Sequence, residues 1–167
     1  MIEKCGSRLD RLAVFVAVLG VSIAACAQNE PEPERFTPVA DVPQLMFAVL
    51  EPAAEVYWDA VGTIIDLEGI TEIEPRTQED WDAVRNAAYV LAESGNLLMM
   101  DGRGQEGSVW NGMSQAMVEV GKRALAAAEA QDKAAVFDAG AEVYDVCTAC
   151  HSVFAVETLR PNSTGGQ

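Results

Sequence analysis

The sequence is poor in several residue types that mark common classes of protein. Its 167 residues include one histidine, four cysteines and 11 lysines and arginines, against 26 aspartates and glutamates, so the net charge is −15. So acidic a chain is unsuited to nucleic acid and to anionic membrane surfaces; the charge favours a basic partner or simply a soluble surface. Strand-like alternation of apolar and polar residues is also missing, which argues against β-structure. Apolar residues make up 50% of the chain, enough for the core of a single domain.

The N-terminus has the pattern of an export signal. Lys4, Arg8 and Arg11 precede the apolar run LAVFVAVLGVSIAA over residues 12–25. A basic start followed by ~14 apolar residues is typical of a secretory signal peptide and is short for a bilayer span. The alternative, a buried helix of the fold, is disfavoured because the run has no polar face.

The run ends in I-A-A-C, residues 23–26, which resembles the lipobox of bacterial lipoproteins. In that interpretation residues 1–25 are removed and Cys26 carries a lipid anchor, and Ala27 in place of an aspartate weakly favours the outer membrane. The alternative is an ordinary signal peptide with a small-residue cleavage site at Ala25 and Ala27. Both interpretations predict a periplasmic protein, whose mature chain has 8 basic and 24 acidic residues and a net charge of −16.

The remaining chain divides into three parts. Residues 26–40 are rich in proline and glutamate, which indicates an extended, solvated tether. Residues 41–156 contain the folded domain, and residues 157–167 are expected to form a flexible C-terminal tail.

Four stretches of the domain have apolar residues at helical spacing. They are residues 41–66, the stretch from Thr77 to the glycine-rich segment 101–107, residues 108–130, and the stretch that starts near Asp132. Pro52 is expected to interrupt the first helix because it has no N–H to donate to Ala48, and Thr77 with Asp80 resembles a capping box. One stripe of the last helix is predicted to hold Phe137, Gly140, Tyr144, Cys147, His151 and Phe154. The short connections predict an all-α fold, an antiparallel four-helix bundle.

The lone histidine directly follows a close pair of cysteines, in C-T-A-C-H over residues 147–151. On a helix, Cys147, Cys150 and His151 lie at positions i, i+3 and i+4 and so share one face. C-x-x-C-H is the attachment signature of c-type haem: the two thiols bind the two vinyl groups on one edge of the porphyrin, and the adjacent imidazole reaches the iron. The sequence therefore predicts one covalent haem c, held by Cys147 and Cys150 with His151 as iron ligand.

Three other roles for the cysteine pair are disfavoured: a zinc site, a thioredoxin-like redox pair and a structural disulfide. A zinc site needs a fourth ligand, and the domain has no further histidine or cysteine. A thioredoxin-like pair lies at the start of a helix that follows a strand, where the helix dipole lowers a thiol pKa, whereas this pair lies near the end of the last predicted helix. A disulfide across so short a loop would stabilise little.

A four-helix bundle with C-x-x-C-H near the end of its last helix resembles the cytochrome c′ family and its low-spin, methionine-ligated relatives. The segments QLMFAVLEPAAEVYWDAV, residues 44–61, and NAAYVLAESGNLLMMDGR, residues 86–103, are also similar to a periplasmic branch of that family. The chain departs from the family pattern H-x-x-Y-R or H-x-x-Y-K, because Phe154 and Ala155 follow His151. Phe154 is still expected to pack against the haem. Bundles of this family often dimerise through their first two helices, so the resemblance leaves a homodimer open.

The second axial position of the iron decides the expected function. The topology brings the predicted start of helix one to the haem end of the bundle, together with the domain's five methionines: Met46, Met99, Met100, Met113 and Met117. In the low-spin relatives the ligand comes from the first turns of helix one, and this resemblance implies Met46 as the second iron ligand, with haem-pocket lining as its alternative role.

Two functions follow from these alternatives. A haem with His151 and Met46 as ligands is a one-electron carrier that serves a redox protein partner, whose surface is expected to be basic. A haem with an open position binds a small gas such as nitric oxide or carbon monoxide, as cytochrome c′ does. An enzymatic role is not expected, because the chain has no second histidine or other evident acid–base pair.

Overall fold

The computed structural model describes residues 36–105 and 107–155. These residues form four helices and one two-stranded hairpin. The predicted signal peptide, Cys26, the tether up to residue 35 and the predicted tail all lie outside the described residues. Within the described ranges, no helix combines the length and the apolar character that crossing a bilayer requires.

Helix α1 consists of three consecutive segments, which are Val42–Leu45, the π-helical Met46–Leu50, and Glu51–Trp58. In the middle segment the backbone N–H of Glu51 donates to the carbonyl of Met46, five residues earlier. Pro52 follows at once, so the backbone position that lacks an N–H lies directly after the widened turn. The predicted interruption of the helix at Pro52 thus takes the form of a π-helical turn.

The prediction of a first helix up to residue 66, and of a chain without strands, is wrong. Strands β1, Gly62–Asp66, and β2, Gly69–Ile73, form an antiparallel hairpin in which Ile65 pairs with Ile70. The Asp66 side chain accepts hydrogen bonds from the backbone N–H groups of Glu68 and Gly69, at 2.8 and 3.1 Å. Gly69 has a φ of 135°, which a residue with a side chain rarely adopts. The apolar spacing of this segment also fits a helix, but its β-branched residues and the residues of its turn favour the hairpin.

Three long helices follow: α2 is Gln78–Leu98, α3 is Ser108–Glu129 and α4 is Lys133–Phe154. The predicted capping box of α2 is confirmed, since the Thr77 side chain accepts from the Asp80 N–H and the Asp80 side chain accepts from the Thr77 N–H. Asp132 caps α4 by accepting from the backbone N–H of Ala135 at 3.1 Å. Capping explains why the two helices begin where the sequence predicts.

Neighbouring helices pack side by side, as in a bundle. Helix α3 lies between α2 and α4, and α1 packs against both α2 and α4. Helices α2 and α3 approach closely at Gly121, where a Cβ would lie 2.5 Å from the Cα of Ala92. The main core lies between the four helices, and its largest fully buried side chains include Tyr57, Leu91, Val120, Val136 and Val143. The packing is consistent with the predicted bundle, and the described residues are mostly helical.

The predicted stripe on α4 only partly matches the buried face of this helix. The buried residues of α4 are Val136, Ala139, Gly140 and Val143. Phe137 and Tyr144 are 63% and 60% exposed. The buried face is displaced toward the small residues, because α4 packs closely against its neighbours and bulky rings stay outside the contact.

A second apolar cluster lies at one end of the helices. It is formed by Leu45, Leu50, Leu98 and Trp110, which are buried. These residues belong to the first half of α1, the last turn of α2 and the first turn of α3, and Phe154 at the end of α4 packs against them. We call this set the end cluster. It brings together the helix ends that an up-and-down order of the four helices predicts.

Candidate functional site

The three residues of the predicted haem motif lie on the last turns of α4. Cys147, Cys150 and His151 are each partly buried, and their spacing places them on one face of the helix. The helix continues to Phe154, and the Ala155 N–H donates to the His151 carbonyl at 3.0 Å. The motif therefore has a regular helical backbone that holds its three side chains in a fixed order along one face.

Neither thiol forms a disulfide within the described residues. Cys147 packs against the main core, and burial, with a smaller effect from Cys150, raises the pKa of its thiol to about 11. Burial also raises the pKa of the Cys150 thiol. A thioredoxin-type pair has the opposite environment, at a helix start that favours the thiolate. Both cysteines therefore lie in surroundings that favour the neutral thiol.

Phe154, predicted to bind the cofactor, packs against the end cluster. Its ring is edge-on to the indole of Trp110, with centroids 5.0 Å apart and an interplanar angle of 78°. The indole N–H donates to the Leu98 carbonyl at 2.8 Å, so Trp110 is fixed in position. Since Phe154 and His151 are three residues apart on α4, this contact ties the turn that carries His151 to α3.

Met46, predicted as the second iron ligand, also packs against the end cluster and is partly buried. It is the first residue of the π-helical segment of α1. The structure thus brings Met46 and Phe154 into contact with one cluster, at the end of the helices that bears Cys147, Cys150 and His151.

The other methionines have different surroundings. Met117 is buried in the main core, so the prediction that all five methionines gather at one end is wrong for this residue. The sulfur of Met100 lies 3.3 Å from the Arg103 guanidinium and accepts a hydrogen bond from it. Met99 and Met113 are partly buried.

Two residues of this end were not predicted from the sequence. Arg103 donates to the carbonyls of Ala40 and Leu97, at 3.1 and 2.8 Å, and so links the residues before α1 to the end of α2. Trp110 fills the end cluster, and Gly104 lies so close to the indole that a Cβ there would overlap it. The pairing of a glycine-rich segment with a tryptophan a few residues later was the available signal for this contact.

The described residues contain no group of three or more His, Cys, Asp or Glu side chains placed to hold a metal ion. A haem iron does not need such a group, because the porphyrin nitrogens supply most of its ligands and the protein adds one or two side chains. A single imidazole beside two thiols is the donor set that a c-type haem requires.

Comparisons of the chain with protein-family models, with curated proteins and with solved structures find no match. The resemblance to cytochrome c′ therefore depends on this chain's own residues, above all on the haem motif and its position at the end of the last helix.

Proposed function

We propose that this protein is an exported c-type cytochrome of the four-helix-bundle kind, with one covalent haem, which carries single electrons between protein partners. The observation that carries the proposal is the placement of Cys147, Cys150 and His151. They share one face of the last turns of α4, form no disulfide among the described residues and shortly precede Phe154, which packs against the end cluster.

The donor set fits a haem. Cys147 and Cys150 would each hold the porphyrin through a thioether, and His151 would bind the iron through its imidazole. The group supplies reversible one-electron exchange between the ferric and ferrous states of its iron. Because attachment uses both sulfurs, the pair is not available for disulfide formation in an oxidising compartment.

The surrounding residues suit the same role. Met46 offers a thioether, and a His/Met ligand pair stabilises ferrous iron and raises the potential. Leu45, Leu50 and Trp110 are buried beside it, and an apolar wall that excludes water favours the reduced, less charged state of a haem. Phe154 and Trp110 hold the last turn of α4 in place through their edge-on contact.

The proposed location is the periplasm, with a lipid anchor at Cys26 and the tether over residues 26–40 between anchor and domain. The support comes from the sequence of the first 40 residues. Replacing Cys26 with serine is expected to move the protein from the membrane fraction to the soluble periplasmic fraction. Wild-type protein found wholly in the soluble fraction would contradict the anchor and leave the cofactor proposal intact.

Optical spectra of the ferric and ferrous holoprotein test the electron-carrier function. We expect low-spin bands in both states, the weak long-wavelength band of a methionine–iron bond in the ferric state, and no shift of the ferrous spectrum under carbon monoxide. High-spin spectra that shift with carbon monoxide would contradict the carrier and support the gas-binding alternative.

A further inference from the structure

Helices α1 and α4 together expose a cluster of aromatic rings. Trp58, at the end of α1, is 37% exposed, and Phe137 and Tyr144 of α4 are 63% and 60% exposed. We call these three residues the aromatic face. Exposed aromatic side chains that lie together on a soluble protein are unusual and often mark a site of interaction.

Two of the three rings of the aromatic face, Trp58 and Tyr144, are held in one arrangement. The indole N–H of Trp58 donates to the Gly140 carbonyl at 2.9 Å, and its ring meets Tyr144 edge-on with centroids 6.1 Å apart. Gly140 makes this possible, because a Cβ there would lie 3.2 Å from the Trp58 ring. A preformed aromatic surface loses little conformational entropy when a partner binds.

An open groove of about 340 Å³ runs between these rings. Its lining includes Trp58, Phe137, Gly140 and Tyr144. Within the part of the chain that the structure describes, Asp145 is the one charged residue that lines it. The centre of the surface is therefore apolar.

The two helices that form the aromatic face also expose several acidic residues. The exposed carboxylates of α1 and α4 are Glu51, Glu55, Asp138, Glu142 and Asp145, and Asp59, also exposed, directly follows α1. Of the basic side chains nearby, Lys133 pairs with Glu74 and Arg123 with Glu142, while Arg76 lines a neighbouring pocket together with Asp59. The aromatic face thus combines an apolar centre with a negatively charged rim.

The aromatic face also adjoins the candidate haem site. Tyr144 precedes Cys147 by three residues on α4, so their side chains are neighbours on the helix surface. Electron exchange between proteins requires that the partner bind close to the cofactor, and this surface begins within one helical turn of the first attachment residue.

We propose that the aromatic face is the docking surface for a redox protein that presents an apolar centre ringed by lysine and arginine side chains. The proposal rests on the proposed haem function and adds to it the place at which electrons are exchanged. The acidic rim steers a basic partner into an encounter, and the rings then provide the specific contact.

A second copy of this chain fits the surface less well than a basic protein. Two copies would bring the same acidic rims together, and each chain has a net charge of −15. Repulsion between like charges opposes such a contact, whereas a basic protein gains from the same charges.

Stopped-flow mixing tests the proposal with a defined probe. The ferrous holoprotein is mixed at low ionic strength with a ferric, lysine-rich cytochrome c, and the second-order rate of electron transfer is measured. For the wild-type protein we expect a fast reaction whose rate falls steeply with added salt. The variant Phe137→Ser/Tyr144→Ser should react at about one tenth of the wild-type rate or more slowly still. Its haem spectrum should be unchanged.

Matched variants on other surfaces serve as controls. Tyr89→Ser/Val109→Ser removes two exposed apolar side chains elsewhere, 47% and 56% exposed, and should leave the rate within about twofold. Asp138→Asn/Asp145→Asn should flatten the salt dependence, while Glu79→Gln/Glu93→Gln on α2 should not. Phe137 lies ten residues before Cys147, so the single variant Phe137→Ser is the second variant to measure if the double variant folds poorly.

Several results would overturn the docking proposal while leaving the haem proposal intact. One is an electron-transfer rate that is the same for the wild type and the aromatic-face variants. Another is a rate that falls equally in those variants and in their controls. A third is a haem-bearing wild-type protein that a small-molecule reductant reduces but that does not exchange electrons with the basic probe. A wild-type dimer in sedimentation experiments that Phe137→Ser dissociates would assign the face to a second copy and would also overturn it. A wild-type protein that carries no covalent haem would instead contradict the proposed function.

Discussion

The ring of Phe154 stands edge-on against the indole of Trp110, with centroids 5.0 Å apart. This contact joins the last turn of α4 to the first turn of α3, and the same indole is hydrogen-bonded to the end of α2 through the Leu98 carbonyl. Three helix ends are thereby fixed at the end of the molecule that carries Cys150 and His151. We expect the geometry of the candidate site on the last turns of α4 to depend on this anchoring.

Trp110→Ala should therefore destabilise the protein strongly. The indole is buried and contributes both apolar area and a hydrogen bond, so the expected loss is about 3 kcal/mol or more of the free energy of unfolding. Urea unfolding followed by circular dichroism measures it. Tyr89→Ala, at an exposed position of α2, is the control and should cost about 0.5 kcal/mol or less; an equal effect of the two substitutions would contradict the anchoring role.

Two glycines of α3 should respond to alanine in opposite directions. At Gly121 a Cβ would lie 2.5 Å from the backbone of Ala92, so Gly121→Ala must push α2 and α3 apart and should cost about 1–3 kcal/mol. At Gly112 a Cβ would meet nothing within 4 Å, so Gly112→Ala should stabilise the helix by about 0.5–1 kcal/mol. Thermal unfolding of the two variants checks the packing of α2 on α3, and a stabilising Gly121→Ala would be inconsistent with it.

Tyr57 should make stability depend on pH in the alkaline range. Its hydroxyl is buried and donates to the Ala124 carbonyl at 3.0 Å, and burial raises the pKa of its phenol well above the usual value. The folded state then keeps a proton that the unfolded state loses, so this contribution to stability is complete below a pH of about 10 and declines above it. Tyr57→Phe should lose about 1 kcal/mol near neutral pH and show a smaller decline between roughly pH 10 and 11. Identical alkaline profiles for the two proteins would show that Tyr57 is not the group responsible.

Met46→Ala should change the spin state of the proposed haem. Without the thioether the ferric protein should become high-spin, its ferrous form should bind carbon monoxide, and its potential should fall. Met100→Ala and Met113→Ala are the matched controls and should leave the spectrum nearly unchanged, since the Met100 sulfur already accepts a hydrogen bond from Arg103. A low-spin spectrum that survives in Met46→Ala would mean that another residue is the ligand.

The helices could be predicted from the sequence where local signals agree with packing. Thr77 and Asp80 mark the start of α2 and Asp132 the start of α4, because capping requires particular side chains within a few residues of one another. The hairpin does not follow from apolar spacing, because Ile64 fits both a helical and a strand pattern and the turn at Asp66 and Gly69 decides between them.

The candidate site was predictable to the extent that it is local in sequence. The spacing of Cys147, Cys150 and His151 is set within two turns of one helix, so the motif alone fixes their common face. Trp110 and Arg103 are distant from this motif in the sequence. Their contacts at this end of the helices are evident only from the packing. Phe137 and Tyr144 belong to the predicted stripe of α4 but lie outside its buried face, which consists of Val136, Ala139, Gly140 and Val143.

Covalent haem attachment is the claim on which the proposed function depends most directly. The wild-type protein, Cys147→Ala/Cys150→Ala and the control Cys26→Ser are to be exported in cells that attach haem to c-type cytochromes, separated on denaturing gels and stained for haem peroxidase activity. We expect stained bands for the wild type and for Cys26→Ser, and none for the double variant at an equal amount of protein. Haem that stays covalently attached without Cys147 and Cys150, or a wild-type protein without covalent haem, would contradict the account.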